Sequence, residues 1–270
     1  DIAHAAFSPD GNKLALLERT SENSYLYIYD MVTNELDNLS EEGLVKTTST
    51  FIWDALGTAI YAISGNDRQQ LLKYDFTIAD NSLRVTAVEE QEIGEGDLGY
   101  YNGELYFTNV TDDDREVVFR IKPEGGLRSE FAEGGSFRIA PNSQYMAVLQ
   151  TSFTDTEDGS EGEEEMGGSQ TSLILHNMNT GEQVPIIEDS MVISFEWATD
   201  GKLYYTVSIS SDFSDEYSYR FLGHDPATQT NREIADFLSS DFAPAPDPNN
   251  IIIPPIRHVQ EETPNLAPYV

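Results

Sequence analysis

Phe7-Ser8-Pro9-Asp10-Gly11 runs through Asn12-Lys13 straight into the apolar stretch Leu14-Ala15-Leu16-Leu17. Each residue of that turn has a reason to stand between two strands. Proline presets φ for a turn, aspartate bonds its own backbone, and glycine takes a positive φ at little cost. The arrangement returns along the chain. Trp53-Asp54-Ala55-Leu56-Gly57 leads into Ile60-Tyr61-Ala62-Ile63, and Ile139-Ala140-Pro141-Asn142-Ser143 into Met146-Ala147-Val148-Leu149. Trp197-Ala198-Thr199-Asp200-Gly201 leads into Leu203-Tyr204-Tyr205-Thr206-Val207. Two weaker copies are Tyr101-Asn102-Gly103 before Leu105-Tyr106-Phe107, and Phe242-Ala243-Pro244 to Asn249-Asn250 before Ile251-Ile252-Ile253.

The residues that precede these turns are Phe7, Trp53, about Tyr100, Ile139, Trp197 and Phe242, spaced by 46, about 47, about 39, 58 and 45 residues. A period in the forties made of strands is the pattern of a propeller blade. A second signal follows at fixed phase. Tyr25 to Tyr29 alternates and ends in Asp30-Met31-Val32-Thr33-Asn34; Leu173-Ile174-Leu175-His176 ends in Asn177-Met178-Asn179-Thr180-Gly181. Leu71 to Tyr74, Val117 to Ile121 and Tyr219 to His224 are placed in the same way. Each reads as a third strand and an Asx-type turn into a fourth. The expected fold is therefore all-β: a β-propeller of four-stranded antiparallel blades over residues 1–256. Its units are expected at about 1–45, 46–93, 94–133, 134–190, 191–237 and 238–256, with a Pro-containing tail or the start of a missing segment at 257–270. Such a unit cannot bury both faces alone, so neighbours should stack.

These repeats resemble those of TolB-type β-propellers and of the propeller domains of prolyl-oligopeptidase-like enzymes. Ser8-Pro9-Asp10-Gly11 carries the likeness best and Ala198-Thr199-Asp200-Gly201 fairly, while the third and sixth units have drifted. The resemblance implies six blades, the last incomplete in this chain or completed by sequence outside it. It speaks for fold more than for function, because the repeated residues are turn-makers.

Composition narrows the partners. The 270 residues hold 48 acidic and 15 basic side chains, a formal net charge of −33, and no cysteine. Such a field repels nucleic acid and anionic lipid, and no thiolate metal site or disulfide can form. No apolar run approaches the roughly 18 residues of a membrane span. Five lysines beside so many acids suit either high-salt adaptation or a saline extracellular setting. The chain opens at Asp1 already inside a strand–turn unit, so a processed form or an excerpt of a longer protein is expected, located in the periplasm, outside the cell or at its surface.

No catalytic residue is predicted. A Gly-x-Ser-x-Gly elbow is absent, and His4, His176, His224 and His258 lack metal-ligand spacing. His176 and His224 hold the phase of Tyr29 and Tyr74 in other units, which reads as strand-end packing. The candidate binding residues are acids in second-to-third strand connections: Asp112, Asp113 and Asp114; Asp155, Glu157 and Asp158 within an insertion at 153–169; and Asp212, Asp215 and Glu216. They would form one acidic rim. A basic protein surface could dock there, gaining association rate, or a hard divalent cation such as calcium could relieve the repulsion between loops. The insertion also reads simply as a solvated hairpin loop, since its ligand positions and glycine do not fit an EF-hand. The leading expectation is a non-enzymatic interaction or scaffold module with an unidentified protein partner and no cofactor apart from that cation. The alternative is a propeller excerpted from a larger prolyl-oligopeptidase-like peptidase; a lyase or hydrolase acting through a central channel is the third reading.

Overall fold

A computed structural model describes residues 1–21, 23–39, 47–65, 69–76, 84–89, 92–94, 96–141, 144–153, 169–209, 218–237, 243–244 and 251–252. Every regular element among them is a strand, so none is a helix long and apolar enough to cross a membrane. The first sheet is β1 (Ile2–Phe7), β2 (Lys13–Arg19), β3 (Ser24–Asp30) and β4 (Glu35–Asn38). The second is β5 (Thr47–Trp53), β6 (Ala59–Gly65), β7 (Gln69–Asp75) and β8 (Arg84–Glu89). The third is β9 (Leu98–Tyr101), β10 (Glu104–Val110), β11 (Glu116–Ile121) and β12 (Ser129–Glu133). The fourth is β13 (Ser136–Ile139), β14 (Tyr145–Phe153), β15 (Ser169–Asn177) and β16 (Gln183–Ser190). The fifth is β17 (Val192–Trp197), β18 (Leu203–Ser208), β19 (Tyr219–Asp225) and β20 (Thr230–Phe237). A two-stranded pair, β21 (Ala243–Pro244) and β22 (Ile251–Ile252), follows.

All five sheets are antiparallel meanders in which sequence neighbours pair. In a meander the first-to-second and third-to-fourth turns share one end of the sheet, the turn end. The second-to-third connection leaves from the other, the loop end. The chain divides into two compact units, Asp1–Asp189 with four sheets and Ser190–Val270 with the fifth sheet and the short pair. The tail at 257–270 lies outside the described residues.

The turns form for the reasons their residues announce. Gly11 N–H donates to Ser8 O at 2.8 Å, Gly57 N–H to Asp54 O at 3.3 Å, and Gly201 N–H to Ala198 O at 3.0 Å. The three glycines have φ of 72°, 70° and 79°, where a side chain is strained. Asp10 accepts from the Ser8 hydroxyl at 2.6 Å and from Asn12 N–H at 3.1 Å. The third sheet departs from this pattern: Tyr101 pairs with Glu104 across Asn102-Gly103, both at positive φ, a two-residue hairpin turn that shortens its unit. At the third-to-fourth turns, Asp30 accepts from Val32 and Thr33 N–H, and Asn177 from Asn179 and Thr180 N–H.

Stacking is visible in how single strands split between cores. In β6, Ile60 and Ala62 join Ala15, Leu17, Leu26 and Ile28 of the first sheet. Tyr61 and Ile63 face the other way, into a core with Leu105, Phe107, Val117 and Phe119 of the third. Tyr106 and Val118 then pack with Phe137, Met146 and Val148 of the fourth. A strand covered on both faces must be apolar at every position, which explains runs such as Ile60 to Ile63. Polar contacts add register between sheets. Trp53 Nε1–H donates to Ala6 O at 3.0 Å. Asp97 accepts from the Ser136 hydroxyl at 2.5 Å, Phe137 N–H at 2.9 Å and the Arg138 guanidinium at 2.6 Å. In the second unit, Tyr204 stacks on Phe221 with centroids 5.6 Å apart, beside Ala198.

Phe7, Trp53, Ile139 and Trp197 each close the first strand of their sheet, opposite Leu14, Ile60, Met146 and Leu203. Their surroundings differ at one member. Trp53 is 6% exposed, packed against the first sheet, and Trp197 is 7% exposed, whereas Phe7 is 60% exposed.

Candidate functional site

At the loop end of the third sheet, residues 111–115 join β10 to β11. Thr111 N–H donates to Arg115 O at 2.9 Å, and Asp114 N–H to Thr111 O at 3.0 Å. Asp114 takes a φ of 60°, which short polar residues tolerate. The three acids of this turn are not equivalent. Asp113 accepts from Arg115 Nε–H at 2.8 Å and from the Thr111 hydroxyl at 2.5 Å. The Arg115 guanidinium, and then that hydroxyl, hold its carboxyl down at about 2. Asp113 thus braces the turn, leaving Asp112 and Asp114 exposed as the outward acids. Asp155, Glu157, Asp158, Asp212, Asp215 and Glu216 lie outside the described residues. Among the described residues no three His, Asp or Glu side chains gather as a cation site.

The histidines sit where packing explains them. His176 is opposite Met146 and His224 opposite Leu203, the register positions held by Tyr29 opposite Leu14 and Tyr74 opposite Ile60. His176 is 3% exposed, lies 5.7 Å from the Phe131 ring, and burial pulls its imidazole down to about 4. His224 Nδ1 meets Asn231 Oδ1 at 2.8 Å, and burial lowers it as well.

A second feature, which the sequence reading does not single out, lies at the turn end of the second and third sheets. A cavity of about 670 Å³ is lined by Asp54, Tyr61, Lys73, Asp75, Tyr100 and Glu124, with Thr86, Ala87 and Pro123 completing its wall. Its construction follows from the turns. Asp54 is fixed by Thr58 N–H and hydroxyl, both at 2.7 Å, and by Ala59 N–H at 3.0 Å. Lys73 pairs with Asp75 at 3.0 Å, two residues along the same face of β7. The β11–β12 turn reaches over β8 because Gly125 has no side chain: a Cβ there would meet Val88 O at 3.0 Å, and φ is 85°. That approach carries Pro123 and Glu124 to the cavity.

Tyr61 and Tyr100 form one wall, rings nearly parallel at 8° with centroids 6.1 Å apart. Tyr61 is 3% exposed, and its hydroxyl has no hydrogen-bond partner among the described residues. Burial first, then Tyr100 and the carboxylates Asp54, Glu124 and Asp75, push its phenol up, so it stays protonated at neutral pH. Tyr100 is raised by burial, Asp54 and Glu124. Three carboxylates against one ammonium leave the cavity negative. The phase of Tyr61 holds Ala15 and Ala147 in the first and fourth sheets but Tyr106 and Tyr204 in the third and fifth, so the signal marks a group of tyrosines rather than this one.

No protein-family model and no curated protein matches the sequence. Solved structures do match in fold. An oligogalacturonate lyase in complex with manganese is similar with a TM-score of 0.58 and 14% identity, over 91% of this chain and 68% of that one. TolB from Acinetobacter baumannii is similar with a TM-score of 0.55 and 13% identity, over 86% of this chain and 53% of that one. The β-propeller domain of the Trilobed protease from Pyrococcus furiosus has a TM-score of 0.54 and 14% identity, over 87% of this chain and 69% of that one. The chain thus has a β-propeller fold like that of TolB and of a protease propeller domain, and spans about half the length of the TolB chain. Manganese belongs to the lyase; the described residues here gather no donor set that fits it.

Proposed function

We propose that this chain is a non-enzymatic, extracytoplasmic propeller module that binds a protein partner through its acidic loop end. The supporting observation is the β10–β11 turn. Its one adjacent cation, Arg115, is engaged by Asp113, so Asp112 and Asp114 present unneutralised charge on a braced scaffold. Loops on rigid sheets are the usual carriers of binding. With a net charge of −33, the complementary surface is basic, and long-range attraction would act mainly on the association rate. A calcium ion shared between this turn and the acids at 155–158 belongs to the same reading.

Calcium titration tests the cation. At constant ionic strength, calcium should raise the melting temperature by mass action on the folded state, and Asp112→Asn with Asp114→Asn should abolish the gain. A response no larger than that to magnesium or matched sodium chloride would remove calcium and leave only the acidic surface. The likeness to a protease propeller supports a second reading, a domain of a larger peptidase. Sequencing the gene on both sides of the codons for Asp1 and Val270 separates the two. An adjoining α/β segment with Gly-x-Ser-x-Gly would overturn the non-enzymatic reading.

A further inference from the structure

We infer that the cavity walled by Tyr61 and Tyr100 receives a guanidinium or ammonium group of a ligand, held by the Tyr61 hydroxyl and the Glu124 carboxylate. Two polar groups there have no partner among the described residues, the hydroxyl of the otherwise buried Tyr61 and the exposed Glu124 carboxylate. The other charges are committed: Asp54 to Thr58 and Ala59, and Asp75 to Lys73. The Tyr61 ring is buried while its hydroxyl opens to the cavity, so a ligand donor can meet that oxygen without moving the ring. The sign of the charge decides which ligand. Three carboxylates against one ammonium repel an anion. A sugar would need an open aromatic face, but Tyr61 has 3% exposure and its ring lies along Tyr100.

A cationic donor meets each requirement. It gives N–H bonds to the Glu124 carboxylate and the Tyr61 oxygen, and its charge is attracted by the net negative lining. A guanidinium fits better than an ammonium, because its planar fork offers five donors and is weakly hydrated. At about 670 Å³ the cavity also exceeds what one such group fills, leaving room for what carries it. This site goes beyond the protein-binding reading and does not depend on it: it lies at the turn end, while Asp112 and Asp114 lie at the loop end.

Acetyl-Gly-Arg-Gly-amide is the probe, titrated by calorimetry at high, constant ionic strength so that diffuse attraction to the acidic surface is screened. Saturable one-to-one binding is expected, with the citrulline counterpart weaker by about tenfold or more, since it keeps the shape and loses the charge. Tyr61→Phe, which keeps the ring, and Glu124→Gln, at an exposed turn position, should each weaken binding by about tenfold. Asp112→Asn with Asp114→Asn should leave it unchanged, which keeps failure of this site distinct from failure of the acidic loop end. Methylguanidinium binding as tightly as the tripeptide would assign the site to a free small cation, and tighter tripeptide binding to a peptide side chain; both sustain the inference. Equal binding of the arginine and citrulline peptides, no saturable binding, or wild-type affinity in Glu124→Gln would overturn it, and the last holds even if Tyr61→Phe failed to fold.

Discussion

The first sheet and the third are built from the same meander, yet their strands read differently. In β3 the residues alternate: Leu26 and Ile28 are buried, while Tyr25, Tyr27 and Tyr29 are half-buried. In β10 the four consecutive residues Leu105, Tyr106, Phe107 and Thr108 are all buried. The difference is one of neighbours, not of strand chemistry. Among the described residues the first sheet packs into one core, shared with the second sheet, whereas the third packs on the second sheet through Leu105 and Phe107 and on the fourth through Tyr106. In these two strands, alternation goes with one packed face and the continuous apolar run with two.

The largest effect should come from breaking that contrast in the doubly covered sheet. Phe107 is fully buried, and Phe107→Ala should cost about 3–5 kcal/mol through lost transfer energy and a residual cavity. Tyr27→Ala in the first sheet should cost about 1 kcal/mol, a half-buried ring whose hydroxyl donates to Glu18. Denaturant unfolding compares them, and equal losses would show that the second covered face contributes nothing.

A middle effect sharpens the same comparison at one register position. Tyr29 in the first sheet is half-buried with its hydroxyl on Asn34, while His176 in the fourth is buried with Nε2 unbonded. Burial puts the folded His176 at about 4 against an ordinary imidazole value of 6.5. The unfolded chain then binds more protons between those values, so stability rises with pH across the window and is lost as pH falls from about 6.5 to about 4. The full loss is on the order of 3 kcal/mol. His4 and His224 add slope of the same sign. Asp10 and Asp113, both held at about 2, lose their contribution only at lower pH. Unfolding measured at pH 7 and at pH 4.5 should show a smaller loss for His176→Phe than for wild type. An unchanged loss would place the proton uptake elsewhere.

The smallest effect concerns the turns. Gly11 and Gly57 share a positive φ, but a Cβ at Gly11 meets open space while one at Gly57 meets Ser8 Cβ of the neighbouring turn at 3.3 Å. Gly11→Val should cost roughly 1 kcal/mol from backbone strain, and Gly57→Val somewhat more. Melting temperatures in the reverse order would mean that turns of successive sheets do not constrain each other.

How much of this was legible follows the distance over which each feature is decided. The acids of 112–114 were legible as a group, but not the division of labour within it. That division depends on where the Arg115 side chain folds back: it bonds Asp113 at 2.8 Å and pairs with Glu130 at 3.7 Å. The cavity was illegible because it joins Asp54 to Glu124 across two sheets. The phase of Tyr61 gave no pointer, since Tyr106 and Tyr204 hold the same phase away from the cavity.

Sequence alone determined the strands, their order in each sheet and the turns between them. Proline, Asx side chains and positive-φ glycines act within four residues, and alternation acts along one strand, so these preferences are complete before any long-range contact forms. Tertiary structure decided which strand faces are covered, that Phe7 is exposed while Trp53 is buried, and that Tyr61, Tyr100 and Glu124 share one cavity. Those outcomes rest on sheets packing across dozens of residues. There Gly125 gains its meaning from Val88 O beside it, and the Tyr61 hydroxyl from the absence of a partner among the residues packed around it.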